Sequence, residues 1–140
     1  LHFTAAALSE LRVLTAATEK ISELALKAFL NNDIDAALSV EPLEEVVDKL
    51  KEEIRSRHIK RLQRGECSIG AGFVLSDMLN DLERVSDHCS NISLCIADIA
   101  HNNMDMHRSQ RELHQNSEGF KKRFEEYSRI YNLPVESCAD

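Results

Sequence analysis

The sequence predicts an all-α fold: an antiparallel up-and-down three-helix bundle followed by a fourth, C-terminal helix. Three observations carry that prediction. Apolar residues recur at intervals of three and four along four long stretches, the spacing of a helix with about 3.6 residues per turn. Only four glycines and two prolines occur in 140 residues, with no tryptophan, while Ala, Leu, Glu and Lys are abundant. The breaks between stretches are short, and short connections make consecutive helices antiparallel neighbours.

The first helix is predicted over residues 4–29, with Leu8, Leu11, Leu14, Ile21, Leu24, Ala25 and Ala28 facing inward, and Asn31-Asn32-Asp33 ends it. The second covers residues 34–64 and lines one face with Leu43, Val46, Val47, Leu50, Ile54 and Arg57. Pro42 lies inside it and predicts a kink or a restart near residues 40–41, because proline removes a backbone donor and crowds the preceding turn. Gly65 is placed to end this helix and Ser68 to N-cap the third, over residues 69–100. Leu75, Met78, Leu82, Val85, Cys89, Ile92, Ile96 and Ile99 draw one stripe down the third helix, its expected buried face, and Gly70 and Gly72 allow a neighbour close to its first turns. Asn102-Asn103 closes it. A fourth helix over residues 107–131 carries Leu113, Phe120, Phe124, Tyr127 and Tyr131 on one side, the spacing of a packing face rather than of a cofactor-stacking ladder. Residues 1–104 read as one helical repeat, and residues 105–140 as an amphipathic helix with a polar tail.

Composition narrows the function. The formal net charge is −7, which disfavours general nucleic-acid binding. Arg55, Arg57, Lys60, Arg61 and Arg64 form a local basic run without an acid. Cations there complement the negative end of the second helix, with a phosphate or membrane-surface contact as the functional alternative. No run of eighteen apolar residues and no signal-peptide pattern occurs, so the fragment is expected to be soluble. It begins at Leu1 rather than Met, the expectation for a piece of a longer protein. Cys67, Cys89, Cys95 and Cys138 form no C-x-x-C and read as reduced, intracellular thiols. His58, His88, His101, His107 and His114 scatter over different faces and read as surface or flanking residues. No nucleophile–base pair, Glu-x-x-His or His-Glu-x-x-His motif, or phosphate-binding loop is present, so no enzyme is expected.

The informative pattern is acidic. Glu44 and Asp48 stand one turn apart on the second helix, and Glu83 and Asp87 one turn apart on the third. Glu44 and Asp87 lie equally far from the Gly65–Glu66 junction, as do Asp48 and Glu83. In an antiparallel hairpin these pairs end at the same height, about 25–30 Å from the bend at roughly 1.5 Å per residue. On each helix the acids are rotated in the same sense from the apolar stripe, so both pairs emerge on one outer side. Within its own helix Asp48 has Lys51 three residues on and Asp87 has Arg84 three residues before, while Glu44 and Glu83 have no cation at helical spacing. Four converging carboxylates suit a hard or borderline cation. The bland alternative is a solvated acidic face.

Glu44-Glu-Val-Val-Asp48 and Leu82-Glu-Arg-Val-Ser-Asp-His-Cys-Ser-Asn-Ile92 resemble the paired Glu/Asp-x-x-x-Asp motifs of the PhoU family. Arg57-His-Ile-Lys-Arg-Leu62, Gly65-Glu-Cys-Ser68 and the opening Phe3-Thr-Ala-Ala-Ala-Leu-Ser-Glu-Leu11 are similar to the version of that domain at the cytoplasmic C-terminus of bacterial sodium/phosphate cotransporters. The resemblance implies one PhoU repeat plus a C-terminal helix, in a family that usually has two repeats. A first repeat, a homodimer mate, or both are then expected to cover exposed apolar surface, beside the membrane part of the transporter. It also implies regulation of phosphate uptake at the cytoplasmic face of the plasma membrane. Metal ions, divalent or of the iron type, would be held on the outer face by Glu44, Asp48, Glu83 and Asp87, with Asp77 as a further ligand. A free-standing PhoU-like regulator and a metal-free helical adaptor are the alternative readings.

Overall fold

A computed structural model describes residues 2–102 and 106–136, with side chains at all of these except 106–117. Four helices follow one another: α1 (Ala5–Asn31), α2 (Ile34–Gln63), α3 (Ile69–Asn102) and α4 (Met106–Ile130). Each boundary has a local cause. The Thr4 hydroxyl accepts the Ala7 N–H, the Asp33 carboxylate accepts the Ala36 N–H, and the Ser68 hydroxyl accepts the Ala71 N–H, satisfying backbone donors at the starts of α1, α2 and α3. Asn32 closes α1 in the left-handed region at φ 51°, and Gly65 turns the chain after α2 at φ 72°.

α1, α2 and α3 pack against one another pairwise, and α4 lies on α2. Leu11, Leu14, Ile21, Val40, Leu43, Val47, Leu50, Ile54, Leu75 and Leu79 form the centre of the core. Phe124, Tyr127 and Tyr131 pack on its edge, as their spacing predicts, whereas Leu113 lies outside the described side chains. Arg123 pairs with Asp35 near the start of α2, Lys49 sits 4.2 Å from the Phe124 ring centre, and Arg57 donates to the Pro134 carbonyl. α4 and the segment after it therefore run alongside α2 in the same direction, as an up-and-down order requires.

Three expectations are corrected. α2 runs unbroken through Pro42, which is itself buried, so there is no restart at residues 40–41; burial of the ring offsets the one missing backbone hydrogen bond. The buried seam of α3 coincides only in part with its apolar stripe: Leu75 is buried, and Leu82, Cys89 and Ile96 are partly buried against the core. Ala71, Leu75, Leu79, Ser86, Ser90 and Ser93 face the core, while Met78, Val85, Ile92 and Ile99 are 38–62% exposed. At about 100° per residue the true seam is rotated by roughly 70° from the one that apolar counting gives. Small serines let α3 approach its neighbours closely, and the larger apolar groups are left on the outer flank beside α1. Leu8 of α1, expected inward, is also exposed, as are Leu26, Phe29 and Leu30.

Candidate functional site

The four predicted acids flank the groove between α2 and α3, close enough to influence one another's charge. Glu44 feels the charge of Asp87, and Asp48 feels both Glu83 and Asp87, the pairing that the hairpin register requires. Because the α3 seam is rotated, Glu83 and Asp87 lie only about 90° from it, on the shoulder where α3 meets α2. Glu44, Asp48 and Glu83 are half-buried as a result, and Asp87 is exposed. Asp77 points about 100° away from the Glu83–Asp87 pair around α3 and stands apart from the group.

Burial, then Asp48, Asp87, Glu41 and Glu45, push the Glu44 carboxyl up to about 7. Burial, then Glu83 and Asp87, raise Asp48 against the opposing pull of Lys51 and of a hydrogen bond with Glu44. One oxygen of Asp48, Oδ1, is buried without a hydrogen-bond partner. The Lys51 ammonium, almost wholly buried, pairs with Glu83 across the groove. One turn further along, Arg55 reaches the Asn80 side-chain oxygen at 3.2 Å. Among the described residues, no three His, Cys, Asp or Glu side chains already close around a single point.

Sequence reasoning missed the cations. It gave Glu83 no partner because it looked only along one helix, and the partner comes from the other arm of the hairpin. Arg84 pairs with Asp81 at 3.8 Å, not with Asp87. The basic run is not solely a helix-end complement. Arg61 grips Glu10 of α1 with two hydrogen bonds at 2.7 and 3.0 Å, and Arg57 approaches the same carboxylate at 3.5 Å. Glu10 is 2% exposed and Arg61 4%, so this is a buried ion pair. An acid in the middle of an apolar face, with arginines on the next helix, was the available signal.

His58, expected at the surface, is buried. Burial and the Arg61 charge lower its pKa, its Nδ1 has no partner, and its Nε2 lies 3.9 Å from the Cys67 sulfur. Gly72 touches the same ring: a Cβ there would meet His58 Nε2 at 3.1 Å, the close approach expected of that glycine. Gly70 has open space around it.

A family model, the PhoU domain, matches residues 11–96, which take in all four carboxylates. A phosphate-specific transport system accessory protein, PhoU homolog 1 of Thermotoga maritima, is 33% identical over 85 residues, 61% of this chain and 37% of that protein. The chain thus spans little more than a third of that relative's length. No solved structure matches. The helix order, the α2–α3 register and the match over most of the three-helix unit give one conclusion: the chain belongs to the PhoU domain family.

Proposed function

We propose that the chain is a non-catalytic regulatory domain of phosphate uptake, working as the cytoplasmic PhoU-like part of a sodium-dependent phosphate cotransporter. The observation that carries the reading is the family match across the helices that bear the acids, supported by the likeness to an accessory protein of phosphate transport. The cotransporter assignment rests on the resemblance of the 57–68 and 3–11 stretches. A free-standing regulator is the second reading, favoured by the printed description of the Thermotoga protein. The full open reading frame of the gene separates the two.

In this proposal Glu44, Asp48, Glu83 and Asp87 hold metal ions on the outer groove. The donor set fits a hard or borderline cation: all oxygen, with the Asp48 oxygen lacking a partner and two carboxyls already raised by burial and then by mutual repulsion. A bound cation would neutralise that repulsion, and Lys51 would have to release Glu83. The exposed apolar flank of α1 and α3 is where a further repeat or a homodimer mate would pack. Occupancy of the groove would then bias how the domain sits against the membrane part.

Elemental analysis of protein purified without chelator tests the site, with Glu83→Gln/Asp87→Asn as the comparison. Metal in the parent and its loss in the variant are expected. Equal metal content in both overturns the site. Phosphate uptake that responds identically to external phosphate in cells carrying either version overturns the regulatory role of the groove.

A further inference from the structure

The pole where α2 turns into α3 carries a surface that neither the core nor the acidic groove uses. Ile59, Ile69 and Phe73 are 49%, 73% and 71% exposed there. With Leu62, Gly72 and Leu79 they border an apolar hollow of about 310 Å³. Val74 extends the patch around α3. Single exposed apolar residues are ordinary, but a contiguous group at the tip of a hairpin marks a contact surface.

Charge distinguishes the partner. Arg55 borders the hollow, and Lys60 and Arg64 are exposed at the same end of α2. Lys60 joins no ion pair among the described residues, and Arg64 has only a loose one, to Glu66 at 3.9 Å. Among the other acids near this pole, Glu10 is engaged by Arg61, Glu53 by Arg57 and Glu52 by Arg55, Glu136 lies on the far side beside Arg57, and Asp77 stands one turn beyond Phe73 on α3. The chain as a whole carries −7, so attraction to a negative surface depends on local clusters of cations such as this one. The acidic groove begins about 20–30 Å from the turn at roughly 1.5 Å per residue, beyond a screening length of about 8 Å in physiological salt. Its repulsion is therefore weak at the tip.

We infer that this pole docks on the surface of an anionic lipid bilayer. Ile69 and Phe73 enter the boundary between headgroups and acyl chains, and Lys60 and Arg64 lie among the phosphates. No helix among the described residues is long and apolar enough to cross a membrane, so the contact is peripheral. It does not depend on metal in the acidic groove.

The absence of tryptophan gives a clean test. Phe73→Trp places a single reporter at the tip, and Ile130→Trp places one on exposed α4 as the control. Vesicles of phosphatidylcholine with phosphatidylglycerol should shift the Phe73→Trp emission to the blue and shield it from a soluble quencher. The control, and vesicles of phosphatidylcholine alone, should give no such change. Ile69→Ser/Phe73→Ser should abolish co-sedimentation with the anionic vesicles, with an unchanged thermal melt because both side chains are exposed. Lys60→Gln and Arg64→Gln should each weaken binding by about fivefold. No emission shift with anionic vesicles, an equal shift in the Ile130→Trp control, or undiminished binding by the double serine variant overturns the proposal. A tip that instead receives a protein helix gives the first of these results.

Discussion

Glu10 shows how much one side chain can decide. Two arginines hold it in an otherwise apolar interface, and the pair is almost sealed from water. Removing one member of such a pair strands the other, at a cost of about 3–5 kcal/mol. Glu10→Ala should lower the urea midpoint accordingly, and Glu10→Ala/Arg61→Met should recover part of the loss. Glu44 offers a second test at this scale. Its carboxyl ionises near 7 in the folded chain against an ordinary value of 4.5, so the folded state binds the proton more tightly. The protonated form therefore stabilises the fold below about 4.5, and that contribution is lost as pH rises through about 7. In chelator-treated protein, Glu44→Gln should flatten the fall in stability across that window and add on the order of 1 kcal/mol at neutral pH. That figure is kept small because the group is partly solvated. Denaturation at a series of pH values reads both quantities.

At the scale of elements, α3 is where reading the sequence and folding it diverge. Helix limits were legible because Thr4, Asp33, Gly65 and Ser68 act locally, and the hairpin register was legible because the α2–α3 connection is short. The rotation of α3 was not, because apolar counting assumes that the largest hydrophobic groups face inward. Here Ser86, Ser90 and Ser93 occupy the contact, and Val85, Ile92 and Ile99 do not. The seam can be tested directly. Leu79→Ala should cost about 2–5 kcal/mol and Ile92→Ala less than about 1 kcal/mol, a ranking that the apolar stripe alone would not give. The hydroxyls of Ser86 and Ser93 make no hydrogen bond, so Ser86→Ala should be neutral or slightly stabilising in the same denaturation series. The cross-helix pair Lys51–Glu83 escaped notice for a related reason: pairing rules for one helix say nothing about the facing one.

For the whole molecule, the proposed metal site makes a prediction about stability. A ligand that binds only the folded state at a hundred times its dissociation constant adds about 2.7 kcal/mol. Divalent metal added to chelator-treated protein should raise the melting temperature, and the Glu83→Gln/Asp87→Asn variant should not respond. Gel filtration with Val85→Glu/Ile92→Glu examines the outer flank of α3. A self-associating parent should become monomeric in that variant with its helix content intact.

The cleft that joins Thr4, Ala5 and Ala6 to Arg57, Pro134 and Glu136 has a further consequence. The polypeptide enters and leaves the folded unit within one small neighbourhood. Such a unit can be spliced into a longer protein, or repeated along one, without stretching or rethreading any helix.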